Sequence, residues 1–245
     1  MPDIYGMSDV GCVRELNEDS FCIQGFENSK IGFCVLADGM GGHNAGEVAS
    51  QNAVKYIADT LKEVVGKKKV SIPEKLNQAI DGANKKIFDM AEKNIIHRGM
   101  RTTVVAVYAD GDTAYIANIG DSRAYAVRND EIVQITNDHS VVAELVNRGM
   151  ITSEEARMHP QKNIITRAVG TDKRVSADIF EYNYSEGDTL IVCSDGLSNM
   201  LTDKEIFEIS KSEKTAKNAV NKMIETAKDY GGIDNITAIC LRFNG

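Results

Sequence analysis

Residues 102–136 read TTVVAVYADGDTAYIANIGDSRAYAVRNDEIVQIT, and this stretch decides the fold. Four runs rich in β-branched and aromatic residues follow one another in it: Thr102–Tyr108, Asp112–Ile119, Ser122–Arg128 and Glu131–Thr136. Between them stand Asp110-Gly111, Gly120-Asp121 and Asn129-Asp130, pairs that reverse a chain in tight hairpins. Strands joined so closely run antiparallel, because a parallel neighbour needs a crossover of a dozen or more residues.

Working outward, two β-like runs precede this block, Ser20–Phe26 and Lys30–Ala37. Helical spacing follows over Glu47–Val65, with Val48, Ala49, Ala53, Tyr56, Ile57 and Leu61 on one face. Asn44 is the expected N-cap, with Glu47 in capping-box position. Pro73 opens a second helix with Leu76, Ile80, Ala83, Ile87 and Met90 as its stripe. Beyond the block come a polar helical segment from Val141 to about Pro160, strands at Val175–Tyr184 and Thr189–Cys193, helices at Lys204–Ser210 and Thr215–Tyr230, and a last strand, Asn235–Phe243. This order predicts an α+β fold of antiparallel sheets with flanking helices. Only three prolines occur and no Gly/Ser-rich linker divides the 245 residues, so a single domain over 1–245 is expected.

Composition excludes several classes. A net charge of −8 argues against a nucleic-acid surface, which would normally show a basic face, and Lys67-Lys68-Lys69 reads as a solvated helix end. No apolar stretch approaches the ~20 residues that span a bilayer. Met1-Pro2-Asp3 leads directly into polar sequence, so no leader is expected. The five cysteines lack zinc-ligand spacing, and Cys34, Cys193 and Cys240 lie inside apolar runs. Reduced core thiols imply a reducing compartment, hence a cytoplasmic protein.

The chemistry is carried by aspartates at strand ends. Asp38, Asp121 and Asp195 each follow an apolar run, and Asp234 precedes one. In antiparallel sheets the end of one strand and the start of its neighbour share an edge, so these acids are able to converge. Converging carboxylates repel unless a cation neutralises them. Oxygen donors without a Cys/His set favour Mg²⁺ or Mn²⁺. The alternative for any one of them is an Asp-Gly turn.

Taken together, Arg14-Glu15-Leu16-Asn17-Glu18-Asp19-Ser20, Ala37-Asp38-Gly39-Met40-Gly41-Gly42-His43, Thr102-Thr103, Asn118-Ile119-Gly120-Asp121-Ser122-Arg123, Ser194-Asp195-Gly196 and Gly232-Ile233-Asp234-Asn235 stand in the order of the metal-dependent protein phosphatase 2C family. The chain resembles the family's short bacterial branch from Ser8 to Arg242. That resemblance implies a β-sandwich flanked by helices, and a protein serine/threonine phosphatase using two Mn²⁺ or Mg²⁺ ions. Phosphoserine and phosphothreonine esters would be cleaved by a water shared between the metals, with no protein nucleophile.

The roles it implies are specific. Asp38 would bridge two metals, the Gly39 carbonyl would ligate one, and Asp195 and Asp234 would hold the second. Glu18 and Asp19 would fix metal-bound waters, Asp19 also acting directly in one version. Asp121 would help to bind a third, weaker ion, and Arg14 would grip the substrate phosphate. Arg14 has a competing reading as a surface partner of Glu15 or Glu18. His43 is the candidate proton donor to the leaving alkoxide, with helix capping as its competitor; in many relatives a histidine stands where this chain has Met40. His97, His139 and His159 read as ordinary polar residues. His139–Arg167 looks like the family's flap, or else a solvated helical insertion. Arg101 replaces the glycine usual in relatives; its bulk and charge either disturb a tight backbone conformation there or give a second basic contact for an acidic phosphopeptide. The expected partners are phosphoproteins and an opposing bacterial serine/threonine kinase, with no nucleic acid and no membrane, and the expected state is a monomer. A two-metal phosphodiesterase and a non-catalytic phosphopeptide binder are the rival functions. The phosphatases of anti-sigma-factor antagonists lack an Arg14-like clamp and a flap.

Overall fold

The computed structural model describes residues 2–25, 29–41, 45–67 and 70–243. Eleven strands are described: β1 (Asp3–Asp9), β2 (Asp19–Gly25), β3 (Gly32–Met40), β4 (Arg101–Thr102), β5 (Val104–Asp110), β6 (Thr113–Ile119), β7 (Arg123–Arg128), β8 (Glu131–Gln134), β9 (Asp178–Asn183), β10 (Thr189–Cys193) and β11 (Ile236–Arg242). The helices are α1 (Ala45–Lys62), α2 (Ile72–Lys93), α3 (Val141–Asn147), α4 (Ser153–Met158), α5 (Asp195–Ser198), α6 (Asp203–Ser212) and α7 (Ala216–Asp229), with a 3₁₀ turn at Ile95–His97. One sheet has the order β1-β11-β10-β7-β8, the other β2-β3-β5-β6-β9 with β4 paired to β3, and every pairing is antiparallel.

The strands of the centre read as unbroken apolar runs because both of their faces are covered. Along β3, Cys34 and Leu36 point between the sheets, where they meet Val105, Val107, Val192 and Ile239. Phe33, Val35 and Ala37 point the other way, onto Ile57 and Leu61 of α1 and Leu76 and Ile80 of α2. On the far sheet, Ile191, Cys193 and Cys240 pack against Val220, Met223 and Ile224 of α7. The result is four layers, helices on sheet on sheet on helices. Each fully buried Leu or Ile contributes about 1.5–3 kcal/mol of burial free energy.

Local chemistry sets the ends of the elements. The α2 helix begins where the Ser71 hydroxyl accepts from the Glu74 N–H, with Pro73 in the first turn. Thr152 and Thr202 form capping boxes with Glu155 and Glu205 at the heads of α4 and α6.

Several expectations are corrected. Tyr56 is exposed rather than part of the buried α1 stripe, although its ring lies against Gly82 of α2, where any Cβ would collide with it. The expected strand over Thr102–Tyr108 is broken at Thr103, whose backbone and hydroxyl turn to Asp38. The β3 strand does not stop at Asp38 but runs to Met40, since Gly39 and Met40 pair with Thr102 and Arg101. The half-buried strand β1 and the single-turn helix α5 were absent from the sequence reading. Asn44, the expected N-cap, lies outside the described residues, as do Lys68 and Lys69.

Candidate metal centre

Pairing and turn geometry carry the acids to one end of the sandwich. Asp19 heads β2 and stands directly opposite Asp38 in β3. Asp195 follows β10 and heads α5, and Asp234 lies just before β11, the neighbour of β10. Asp121 sits in the turn from β6 to β7, and β7 is the other neighbour of β10. Asp195 is therefore a helix-opening residue rather than a strand end; its carboxylate accepts from Asn199 one turn on, at 3.0 Å.

The acids feel one another. Burial raises the Asp38 carboxyl well above its ordinary value, and the charges of Asp19, Asp195, Asp121 and Asp234 add to the rise. Asp121 is pushed up to about 8 by burial and then by Asp195 and Asp138. Asp195 is raised by burial and by Asp234, against a side-chain hydrogen bond shared with Asp38. Asp19 is 8% exposed. Burial lifts it to about 7 even though the Thr237 hydroxyl (2.6 Å) and the Ser194 hydroxyl (2.8 Å) donate to its Oδ2. Its Oδ1 is buried with no hydrogen-bond partner. An acceptor left so costs about 1–3 kcal/mol unless something positive reaches it.

Glu18 lies against the first turn of α1, where the backbone N–H groups of Gly46 and Glu47 favour its ionised carboxylate. A side chain at Gly46 would overlap that carboxylate, so glycine is required by close approach. Burial nonetheless leaves Glu18 raised. The Glu18 carbonyl accepts from the Gly39 N–H (3.1 Å) and the Ser50 hydroxyl (2.6 Å). Arg14, on the loop before β2, donates to Asp234 Oδ2 at 3.0 Å, so its acidic partner is neither Glu15 nor Glu18. His43, the candidate proton donor, lies outside the described residues.

Sequence reasoning assigned no role to the polar residues that hold these acids. Asn235 donates to the carbonyls of Val10 (3.0 Å) and Leu16 (2.9 Å) and accepts from the Glu18 N–H (2.9 Å), folding the N-terminal loop over the site. Thr102 Oγ1 donates to the Asp38 carbonyl (2.7 Å), while the Asp38 N–H donates to Thr103 Oγ1 (3.0 Å). Thr103 Oγ1 in turn shares a hydrogen bond with Ser122, beside Asp121, at 2.8 Å. The one available signal was polarity inside apolar runs, since a buried hydroxyl must find a partner.

His139 is likewise no ordinary polar residue: it is 7% exposed. Its Nδ1 accepts from the Gly120 N–H at 3.0 Å, which leaves the proton on Nε2, 3.2 Å from Asp178. Gly120 has φ +103°, open to glycine and closed to most side chains, and the histidine bond locks the turn that presents Asp121. Burial holds the imidazole below its usual pKa, against the pull of Asp178.

All-oxygen donors, mutual repulsion and the orphaned Asp19 oxygen together fit hard divalent cations. Among the described residues no three acidic, histidine or cysteine side chains are drawn together into a ready-made metal site. An open set of carboxylates is the manner in which Mg²⁺ is held when it keeps several waters. The fold and these donors define a class, a helix-flanked sandwich with an acidic centre for such ions.

The family model of protein phosphatase 2C matches residues 13–235. The chain belongs to the protein phosphatase 2C family of metal-dependent phosphatases. It is 42% identical over 239 residues to the serine/threonine phosphatase Stp of Listeria innocua, covering 97% of this chain and 94% of that one. The S. agalactiae serine/threonine phosphatase superposes with a TM-score of 0.90 at 37% identity over 100% of both chains. The catalytic domain of the phosphatase PstP, solved with two manganese ions, gives a TM-score of 0.87 at 33% identity over 100% of this chain and 99% of that one.

Proposed function

We propose that this chain is a Mn²⁺- or Mg²⁺-dependent protein phosphatase acting on phosphoserine and phosphothreonine. The observation that supports this most is the acid cluster, which among the described residues is met by a single half-exposed ion pair, Arg14–Asp234. Asp38, Asp195 and Asp234, with the Gly39 carbonyl, Asp19 and Glu18, would hold two ions, and Asp121 would help with a third. When bound, such ions neutralise the acids, activate water for attack on phosphorus and stabilise charge on the phosphoryl oxygens. Arg14 leaves Asp234 for the substrate phosphate, whose two oxygens match its planar fork. His43 donates the proton that the departing alkoxide needs. His139 and Gly120 keep the Asp121 turn rigid, and Thr102 and Thr103 fix the backbone of Asp38.

Residues 139–167 act as the flap within one catalytic domain. The two short helices there border a cleft of about 570 Å³ that Asp121 and Asp195 also line. Arg157 of α4 ties this segment down by donating to the carbonyls of Ser198 (3.1 Å), Asn199 (3.4 Å) and Leu201 (3.3 Å). The substrates are phosphoproteins, and the enzyme opposes a serine/threonine kinase. Five free cysteines suit a reducing, cytoplasmic setting. No described helix is long and apolar enough to cross a membrane, and action as a monomer completes the reading.

The test is release of phosphate from a phosphothreonine peptide titrated with Mn²⁺, for the native chain and Asp121→Ala, with an anomalous-scattering metal count for each. The native chain is expected to be silent in EDTA and active with Mn²⁺. Asp121→Ala is expected to keep two ions and lose most of its kcat. Activity after thorough chelation would overturn the metal reading. An undiminished kcat in Asp121→Ala would return Asp121 to a turn residue.

A further inference from the structure

A second cleft, of about 540 Å³, opens at the end of β3 and is lined by none of the clustered acids. Met40 lines it, two residues beyond Asp38 on the same strand and so about 7 Å along it. Arg101, Arg167 and Arg174 line it as well, with Ile164 and Val175 between them. The arginines are held on a common frame. Arg101 is paired with Met40 in the β3–β4 ladder, and the next residue, Thr102, bridges Val169 through hydrogen bonds of 3.0 and 2.9 Å.

Two of these three charges have no acidic partner among the described residues. The arginine ion pairs of the described residues are Arg14–Asp234, Arg123–Asp138, Arg128–Asp188, Arg148–Glu144 and Arg167–Asp178. Arg101 and Arg174 are exposed and have no acidic partner among those residues. Arg167 spends part of its fork on Asp178 (2.6 Å) and the Ser176 carbonyl (3.2 Å). One acid, Asp172, also lines the cleft, so the local balance stays positive. The whole chain carries −8, which repels an acidic substrate at long range. That repulsion is screened beyond about 8–10 Å, so the nearby arginines decide what docks.

We propose that this arginine-lined cleft binds an anionic side chain, glutamate, aspartate or a second phosphate, within about three residues of the phosphorylated residue of the substrate. The proposal rests on the phosphatase reading above and adds a preference for acidic phosphopeptides. Apolar Met40, Ile164 and Val175 would cover the methylene stem of such a side chain while the guanidinium groups take its oxygens. Glycine at position 101 would leave that wall without its charge.

The experiment compares kcat/KM for three phosphothreonine peptides with Mn²⁺: alanine flanks, glutamate flanks, and a second phosphothreonine. The ratio of acidic to alanine peptide is taken within each enzyme, for the native chain, Arg101→Ala and Arg174→Ala, so general losses of folding or turnover cancel. A native ratio of roughly threefold to tenfold is expected, the size of a partly exposed charge pair, falling towards one in either variant and at high salt. Preference for the doubly phosphorylated peptide over the glutamate peptide would assign the cleft to phosphate; equal preference would assign it to anionic side chains generally. A native ratio near one, or a ratio kept in both variants, overturns the proposal. So does inhibition by a short RNA at concentrations where a glutamate-rich peptide has no effect. Failure to turn over any peptide would instead remove the phosphatase reading, and this proposal with it.

Discussion

Asp19 and Asp188 are the same residue type, similarly buried at 8% and 4% exposure, and associated with opposite ends of β10. Asp188 immediately precedes the strand; Asp19 takes a hydrogen bond from Ser194, which immediately follows it. Burial pushes both carboxyls up. At Asp188 the rise is outweighed by Arg128, whose Nε and Nη2 donate at 2.9 and 2.6 Å, by the Ser185 N–H and by the Tyr182 hydroxyl, so the group ends below its ordinary value. At Asp19 there are only two neutral hydroxyls and more acids, and it ends at about 7. One end of the sandwich is electrostatically complete within the protein. The other is stable as a charged centre only when something positive is supplied, which is the physical content of metal dependence.

The contrast is broken most severely by removing charge from the acidic end. Asp38→Asn and Asp195→Asn are each expected to lower kcat by a factor on the order of 10²–10³ or more at saturating Mn²⁺. The same changes remove like-charge repulsion, so the metal-free Tm should hold or rise. Asp188→Asn should do the reverse, keeping kcat while costing about 1–3 kcal/mol of stability. In a domain of this size each kcal/mol lowers Tm by about 2–4 °C. Calorimetry beside steady-state kinetics on all three variants checks the pattern. Loss of activity in Asp188→Asn with a native Tm would dissolve the distinction between the two ends.

A smaller effect comes from pH. Asp19 at about 7 and Asp121 at about 8 bind protons more tightly folded than unfolded. Their favourable contribution is therefore full below the ordinary carboxylate range and is lost as pH rises through 7 to 8. His139, held low, opposes this in the lower part of the window, because it loses stability as pH falls. Asp188, also held low, matters only in stronger acid. Metal-free protein should accordingly lose Tm between pH 6 and about 8.5, and Mn²⁺ should flatten that slope by pairing the acids. A metal-free Tm that climbs over this window would contradict the raised carboxyls.

The same contrast shows what the sequence could and could not reveal. The sheets were legible because β3, β5, β6, β10 and β11 are long apolar runs punctuated by turn pairs. The edge strand β1 was missed because Asp3–Asp9 is polar, half-buried and becomes a strand only by pairing with β11, more than 200 positions away. The acids were legible one by one, since an aspartate beside an apolar run stands out. Their supports were not. Asn235 contacts the Glu18 N–H across 217 positions and Thr237 reaches Asp19 across 218, distances that only the sheet topology closes. His139 was misread for the same reason: its partners, Gly120 and Asp178, lie on other segments.

The smallest expected effect concerns Arg14, which among the described residues makes the one ion pair with an acid of this centre. Its guanidinium donates to Asp234 at 3.0 Å, and the two side chains are 51% and 36% exposed. A pair this open is worth only about 0–1 kcal/mol, far less than an ion's attraction to several carboxylates. Arg14 is thus a weak stand-in for the missing charge, and metal binding should displace it at little cost. Arg14→Ala is then expected to leave Mn²⁺ affinity unchanged or tighten it by at most about fivefold, since Asp234 is freed. The same variant should raise KM for a phosphothreonine peptide, because the released guanidinium is the group assigned to the phosphate. Arg14→Lys should restore the charge without the fork and recover only part of the loss. Calorimetric Mn²⁺ titration and peptide kinetics on both variants separate the two roles. Markedly weaker Mn²⁺ binding in Arg14→Ala, with KM unaltered, would make Arg14 a structural partner of Asp234 instead of a substrate clamp.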